Sequence, residues 1–418
     1  MAKTTEKTEE YAACRLSNGL RIVQSPSPSE VTYCGYVIDA GTRDELPEEP
    51  GMAHFVEHLL FKGTEHRKAW HILNRMERVG GDLNAFTNKE ETTIYSTFLA
   101  RDFQRAAELL TDIVFHSTFP QGEIEKETEV IADEIQSYLD SPAEQIYDDF
   151  EEIIFPEHPL GRNILGNAET LRTFSSQQAK RFTETYYRPE NALFFLYGNI
   201  PLERIRHTLE RLTTDLPLPA LPPAPKLERR PPLLYTPRNI TIKHDTHQAH
   251  VLIGTKGYHA FDKKRTGLYL LNNLLGGPGM NSRLNLALRE RRGLVYGVES
   301  SLVSYTDSGV FSIYYGCDPE DTARCSELVL RELRKLREHA LTGSQLHALK
   351  KQTIGQIAVA TDSNESMALE LGKSFLHYGH YEPLKRLYER IEALTAEQLL
   401  EVANEIFDEA QLSKLTFQ

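Results

Sequence analysis

The stretch Gly51-Met-Ala-His-Phe-Val-Glu-His-Leu-Leu-Phe-Lys-Gly63 places two histidines and a glutamate inside an apolar run. In a helix, His54 and His58 are one turn apart and Glu57 is close to both, so all three side chains project from one side. Ionisable groups resist burial unless they are paired or bind an ion. The stretch therefore predicts an apolar helix with a chemically active side.

This spacing is suited to a metal ion. Two neutral imidazoles at i and i+4 can bind one divalent cation, and they match the preferences of Zn²⁺. Glu57 then lies beside the cation without ligating it, where a general base can take a proton from water that the metal activates. The order HxxEH reverses the HExxH order of common zincins and is the inverzincin signature. The alternative interpretation is a pair of satisfied histidines next to a salt bridge.

A hydrolytic zinc site needs a third protein ligand and an open position. The obvious source is an acidic, helix-like segment, Gly122-Glu-Ile-Glu-Lys-Glu-Thr-Glu-Val-Ile-Ala-Asp-Glu-Ile-Gln136. Glu127 and Glu134 share one face of such a helix, two turns apart. Exposed carboxylates such as Glu125 and Glu129 more often solvate a helix. Spacing alone does not choose the ligand.

Composition limits the partners and the location. The chain of 418 residues is 40% hydrophobic, which suffices for two to three domains with cores, and its net charge is −13. We expect no nucleic-acid partner, because phosphate binding needs a clustered basic surface. No apolar run is long enough for a membrane span, and the N-terminal MAKTTEKTEE resembles no targeting signal, so a cytoplasmic location without a membrane partner is expected. The four cysteines have no CxxC spacing and are expected to be reduced.

A proline-rich segment divides the chain nearly in half. Residues 216–232 contain too many prolines for a helix or a central strand, so they predict an extended linker. We therefore predict a domain at 1–215, which carries the zinc site, and a metal-free domain at 233–418. Each is predicted to be α+β, with helices packed on a largely antiparallel sheet.

The two halves follow the same order of strand-like and helix-like runs. In the first half, strands at 36–41 and 92–98 precede helices at 51–61 and 100–114; in the second, strands at 251–255 and 309–315 precede helices at 267–276 and 319–341. The halves thus look homologous. Matching Leu59-Leu60 to Leu274-Leu275 places the three polar residues of the first helix opposite Tyr269, Asn272 and Asn273. The second half did not keep the imidazoles or the carboxylate, so packing alone does not require them.

The sequence resembles a known family nearly end to end. His54-Phe-Val-Glu-His58, followed by Glu134 within Glu-Val-Ile-Ala-Asp-Glu, is similar to the pitrilysin and insulysin metallopeptidases, in their bacterial branch that is like mitochondrial processing peptidase. The resemblance implies one zinc ion per chain with His54, His58 and Glu134 as ligands. It also implies that Glu57 is the general base and that Glu127 is a helper carboxylate.

Two further stretches fit this family. Gly80-Gly-Asp-Leu-Asn-Ala-Phe-Thr87 resembles its edge strand, which implies that Asn84 and Ala85 hold the substrate backbone; on its own, Asn84 reads as a turn residue after two glycines. Ser282 to Tyr296 resembles its Arg-to-Tyr segment, which implies that Arg289 and Tyr296 contact substrate and that the tyrosine stabilises the oxyanion. Without the resemblance, this segment reads as a solvated basic helix before a strand.

The resemblance also implies an assembly. Family enzymes enclose peptides or unfolded segments in a chamber of four such domains, so this two-domain chain is expected to act as a homodimeric zinc endopeptidase. Twelve carboxylates against one lysine between residues 121 and 152 either favour basic peptides or form a solvated helical face. The alternatives are a catalytically inert peptide-binding or structural subunit, and an active subunit that needs a different partner chain.

Overall fold

The computed structural model describes residues 3–7, 10–218, 229, 231–232, 235–244 and 246–418. Its strands are β1 (Lys3–Lys7), β2 (Ala12–Arg15), β3 (Arg21–Ser25), β4 (Val31–Ile38), β5 (Asp82–Thr87), β6 (Thr92–Leu99), β7 (Ala192–Tyr197), β8 (Asn239–Ile242), β9 (Ala249–Lys256), β10 (Val295–Ser304), β11 (Gly309–Cys317) and β12 (Ser413–Phe417). Its α-helices are α1 (Met52–Leu59), α2 (Ala69–Glu77), α3 (Phe103–Phe115), α4 (Gln121–Leu139), α5 (Pro142–Ile154), α6 (Ala168–Leu171), α7 (Ser176–Tyr186), α8 (Leu202–Leu212), α9 (Arg265–Gly276), α10 (Thr322–Glu338), α11 (Gly343–Ala360), α12 (Asn364–Tyr378), α13 (Leu384–Ala393) and α14 (Ala396–Ile406).

The predicted α+β class is confirmed, and so is the repeated architecture. One sheet has the strand order β1-β2-β3-β7-β4-β6-β5, and the other has the order β10-β11-β9-β12-β8. In the first sheet β3 and β7 are parallel, and the other pairs are antiparallel. In the second, β8 and β12 form the matching parallel pair. Strands β3 to β7 and β8 to β12 therefore have the same topology, with β5 and β10 at equivalent edges.

The chain forms two compact units. Unit 1 contains Met1–Ile135, Asn163–Arg229 and Thr361–Pro383; unit 2 contains Gln136–Arg162, Arg230–Ala360 and Leu384–Gln418. This grouping departs from the predicted division at 1–215 and 233–418 in two places, because residues 136–162 group with unit 2 and residues 361–383 with unit 1. Most of the predicted linker at 216–232 lies outside the described residues.

The two regrouped segments are amphipathic helices that complete a core. In unit 1, α12 buries Leu371 and Phe375 against Val37 and Phe195 of the first sheet. An added Cβ at Gly372 would lie 2.8 Å from the Phe195 ring, so the close approach of helix and sheet needs glycine. In unit 2, α5 covers the second sheet in the same manner, with a cluster that includes Ile146, Phe150, Leu252 and Phe417.

Two further expectations concern helix length and thiols. Among the described helices, none is both long and apolar enough to cross a membrane. The cysteines, Cys14, Cys34, Cys317 and Cys325, are buried free thiols.

Candidate metal centre

A buried carboxylate and a glycine set the start of α1. The backbone N–H groups of Gly51 and Ala53 donate to the two oxygens of Glu45, at 2.9 and 2.8 Å. These bonds satisfy amides that a helix start leaves open, and the negative charge suits the helix dipole. Gly51 has φ +92°, and a Cβ there would lie 2.7 Å from the carbonyl oxygen of Leu165, so only glycine fits. The start of α1 is therefore fixed tightly, and with it the direction of its polar side.

Three candidate ligands converge in unit 1. His54 and His58 project from α1 and Glu134 from α4, and their donor atoms all lie within 4.8 Å of one another. Nε2 of His54 is 3.8 Å from Oε1 of Glu134, and Nε2 of His58 is 3.4 Å from Oε2. His54 is buried, His58 is partly exposed, and Glu134 is the most open of the three, with 45% of its side chain exposed. The centre therefore opens to solvent on the side of Glu134.

These residues fit a zinc ion. Zinc bonds of about 2.0–2.2 Å in a tetrahedron separate neighbouring ligand atoms by about 3.3–3.6 Å, close to the spacings seen here. Burial lowers the pKa of His54 to about 3, with a further contribution from His58, so the ring is neutral at neutral pH, as a ligand must be. Nδ1 of His54 is buried without a hydrogen-bond partner among the described residues, so no protein group holds this ring by a hydrogen bond at that nitrogen.

Glu127 supports His58 from the opposite side. Oε2 of Glu127 lies 3.3 Å from Nδ1 of His58, and its Oε1 lies 2.6 Å from Nζ of Lys62. An ionised carboxylate only accepts hydrogen bonds, so Nδ1–H of His58 is the donor and the lone pair of Nε2 faces Glu134. Such a carboxylate–histidine pair fixes the tautomer and the orientation of a metal ligand. Glu127 thus belongs to the site through His58.

Glu57 lies beside the three candidate ligands. Partial burial raises its pKa, the neighbouring Thr87 hydroxyl and the charge of His58 lower it, and the charge of Glu134 raises it. Thr87 is the last residue of β5, and α1 packs against this strand. A partly buried carboxylate with a raised pKa is better matched to proton transfer near neutral pH than a solvated one.

Asn84 and Ala85 lie on the edge strand of the first sheet. β5 pairs only with β6 within the described sheet, with Asn84 opposite Tyr95 and Ala85 opposite Ile94. The structure thus places Asn84 in a strand, whereas the residues alone suggested a turn. Its side-chain amide donates to Oδ2 of Asp82 at 2.8 Å. The outer edge of β5 is the edge to which an extended peptide can add.

Arg289 and Tyr296 belong to unit 2. Arg289 lies in a π-helical turn, Asn285–Glu290, and Tyr296 lies near the start of β10, the equivalent edge strand, with 76% of its surface exposed. A π-helical turn is rare and frequently marks a functional site. Their side chains do not take part in the cluster of unit 1.

Comparisons with known proteins identify the family. The family model described as Insulinase (Peptidase family M16) matches residues 21–168, and the model described as Peptidase M16 inactive domain matches residues 173–353. The chain is 34% identical to the Bacillus subtilis protein named uncharacterized zinc protease YmxG, over 94% of each chain. This chain belongs to peptidase family M16. The resemblance inferred from the HxxEH stretch and from Glu134 is confirmed at the level of the family.

Other similar proteins are consistent with this family assignment. A protein of Streptomyces coelicolor, also named as an uncharacterized zinc protease, is 32% identical over 94% of this M16 chain and 86% of its own length. The crystal structure of a protease from Helicobacter pylori matches with a TM-score of 0.89 and 22% identity, over all of both chains. A Pseudomonas fluorescens structure titled peptidase M16 inactive domain also matches with 0.89, at 19% identity, over 99% of this chain and 97% of that one. At these identities the two structures support the fold alone.

Sequence reasoning missed two residues around this candidate metal centre, Lys62 and Thr87. Lys62 lies four residues after His58, and that spacing was a usable signal, because an acidic residue had already been implied near His58. No spacing in the sequence could have linked Thr87 to Glu57, since only the packing of α1 on β5 brings the two residues together.

A second group of histidines and an aspartate, His66, Asp112 and His116, also lies close together in unit 1. Here Asp112 already accepts hydrogen bonds from Thr64 and Arg67, and the guanidinium of Arg67 lies 2.5 Å from its Oδ2. A positive charge at this position opposes a metal ion, so the group is a hydrogen-bond network.

Proposed function

We propose that this M16 chain is a zinc-dependent endopeptidase that hydrolyses peptides or unfolded polypeptide segments. The observation that carries the proposal is the convergence of His54, His58 and Glu134, with Glu57 beside them and left free of them. The names of the bacterial relatives support zinc as the metal. When bound, the zinc ion supplies Lewis acidity that activates water and polarises the scissile carbonyl.

In this proposal Glu57 transfers the proton, first as a general base and then as a general acid. Its carboxylate accepts a proton from the attacking water and later donates it to the leaving amine, so no covalent link to the enzyme is needed. Burial, which raises the pKa of Glu57, helps the second step, because a carboxyl group with a raised pKa holds the proton until the amine departs.

Glu127 is a positioning residue in this proposal. It fixes His58 in one tautomer and shares its negative charge with Lys62. Loss of such an outer contact typically costs about 10–100-fold in metal affinity or activity.

The edge of β5 is the proposed binding surface for the substrate backbone. An extended peptide that adds to this edge places its main chain along Asn84 and Ala85, and main-chain bonds give affinity with little dependence on sequence. Thr87 lies at the end of the same strand, close to Glu57. A peptide held at this edge is thereby aligned with the general base.

Arg289 and Tyr296 are proposed to contact the substrate, with the tyrosine hydroxyl donating to the oxyanion. A donor aimed at developing charge contributes about 2.7–4 kcal/mol in the transition state. We further propose a homodimer whose four domains enclose the substrate, so that the Arg289 and Tyr296 of one copy serve the zinc centre of the other. The exposure of Tyr296 supports this role, because the side chain is available to a second molecule.

The test combines metal content with peptide hydrolysis. The purified chain is expected to hold one zinc ion per chain and to cleave a quenched fluorescent peptide. Glu134→Gln is expected to lose both, whereas Glu129→Gln, an exposed change on the same helix, is expected to lose neither. Bound zinc without any hydrolysis would contradict the proposal and favour a catalytically inert subunit.

Assembly has a separate test. Glu57→Gln and Tyr296→Phe chains are each expected to be inactive alone, and a mixture is expected to regain activity through one intact composite site. No recovery in mixed dimers would contradict a site shared across the dimer.

A further inference from the structure

A second polar site lies along the outer face of α2 in unit 1. A groove of about 300 Å³ is lined there by Arg67, Trp70, Arg75, Arg78 and Arg105, together with two histidines and an asparagine. This volume is at the lower end of the range of ligand pockets, about 300–1,000 Å³. None of the proposed zinc ligands lines it, so the groove is a separate feature of the unit.

The groove concentrates positive charge on an acidic protein. Four arginines line it although the chain has a net charge of −13. Arg67 and Arg75 hold Glu108 through ion pairs, and Arg67 also holds Asp112. These pairs neutralise only part of the positive charge.

Arg78 and Arg105 have no carboxylate partner in the described part of the chain. The guanidinium of Arg78 lies over the Trp70 ring, 5.2 Å from its centroid, and Arg105 donates to the carbonyl of Arg75 at 3.0 Å. The stacking contact of Arg78 and the single hydrogen bond of Arg105 leave further N–H groups of both guanidinium groups without a partner among the described residues. Clustered arginines in a concave site attract anions, and a guanidinium fork matches phosphate oxygens in two parallel hydrogen bonds.

We propose that this groove binds a ligand that carries two linked phosphate groups. Arg78 follows α2 and Arg105 lies on α3, so two guanidinium forks from different helices line one groove, and in the proposal each binds one phosphate. The diphosphate is shared by inorganic pyrophosphate and by nucleoside diphosphates, and the site is defined by that shared group. Arg67 and Arg75 add positive charge around it while remaining paired with Glu108.

Trp70 provides a direct measurement. It is the only tryptophan of the chain and is 58% exposed on the groove wall, next to Arg78. Titration of the zinc-loaded full chain with pyrophosphate at constant ionic strength is expected to change its fluorescence saturably. Calorimetric titration gives the affinity independently of Trp70.

Variants assign the binding to the groove. Arg78→Gln and Arg105→Gln are each expected to weaken pyrophosphate binding by about tenfold or more, since each loses a charged donor pair. Arg101→Gln, which removes an exposed arginine just before α3 and outside the groove, is expected to bind like the parent chain. The same calorimetric affinity in all four proteins would overturn the proposal, and would also be the result if pyrophosphate bound only the zinc ion.

The ligand class has its own comparison. Inorganic phosphate is expected to bind about tenfold or more weakly than pyrophosphate, because it engages one fork. Equal affinities for the two would overturn the diphosphate assignment. Tighter binding of ADP than of pyrophosphate would identify a nucleotide as the source, and equal binding would identify the diphosphate alone.

Discussion

Helices α1 and α9 occupy equivalent places in two sheets of the same topology, yet the matching polar residues of the two helices have different partners. On α9, the side-chain amide of Asn273 donates to Thr353 and to Gln356, both at 2.8 Å, so its two donors are satisfied by neutral neighbours. On α1, the matching residue is His58, which faces Glu127 on one side and Glu134 on the other. A polar residue at this helix position can therefore either complete a structural hydrogen-bond network or remain available to an ion, depending on its neighbours.

The largest expected effect is a loss of the catalytic activity that we propose for α1. Glu57→Gln is expected to lower peptide hydrolysis by about 10²–10⁴-fold, the range for loss of a general base, while zinc stays bound. Steady-state hydrolysis and metal content measure the two effects. Asn272→Ala, at the matching position of α9, is expected to leave hydrolysis nearly unchanged. A similar loss in both variants would mean that the two helices do not differ in function.

A smaller effect is expected from the contact that orients His58. Glu127→Gln is expected to weaken zinc binding or activity by about 10–100-fold, because the amide keeps the shape but loses the charge that supports the imidazole. Competition with a coloured chelator measures the zinc affinity. Glu129→Gln removes an exposed charge from the same helix and serves as the control. Unchanged zinc affinity and activity in Glu127→Gln would remove Glu127 from the site.

On α9 the expected effect is on stability. Asn273→Ala leaves Thr353 and Gln356 without their hydrogen-bond partner, which should lower the free energy of unfolding of unit 2 by about 1–3 kcal/mol. Denaturant unfolding, with amide hydrogen exchange in α9 as the probe, measures the change in the free energy of unfolding. Asn272→Ala is the matched control, since Oδ1 of Asn272 has no hydrogen-bond partner among the described residues. A larger loss from Asn272→Ala would contradict the structural role of Asn273.

The smallest expected effect is on the stability of α12, which should depend on pH. Burial raises the pKa of Glu91, but a hydrogen bond from His377 and the charge of Lys373 outweigh it and hold the pKa at about 2. Because the pKa is depressed in the folded state, this stabilisation is present above the unfolded pKa of about 4.3 and is lost as pH falls toward 2. Hydrogen exchange of α12 amides between pH 5 and 2 should show the loss.

His377→Gln sharpens that test. Without the imidazole, the pKa of Glu91 is expected to rise, so α12 should loosen at a higher pH than in the parent chain. An unchanged pH profile in this variant would contradict the role of His377. α5 in unit 2, which contains none of Glu91, Lys373 and His377, serves as the internal comparison.

The local sequence pattern was sufficient to predict the main helices and strands, and the histidine half of the candidate site. Periodicity predicted α1, α3, α9 and α10 with errors of a few residues at their ends, and the i, i+4 spacing was sufficient to bring His54 and His58 together. The choice between Glu127 and Glu134 was not available from spacing. Both lie on one face of α4, and only the packing of α4 on α1 places Glu127 at Nδ1 of His58 and Glu134 at Nε2.

Secondary structure can be predicted from the local sequence, because side chains repeat every 3.6 residues along a helix and every two along a strand. The sequence by itself therefore determined the family, the repeated α+β architecture and the polar side of α1. The tertiary structure alone decided that α5 completes unit 2, that α12 completes unit 1, and that Lys62 and Thr87 lie beside Glu127 and Glu57 at the candidate metal centre. An apolar helix face gains the same free energy against any apolar sheet, so only the fold of the whole chain selects its partner.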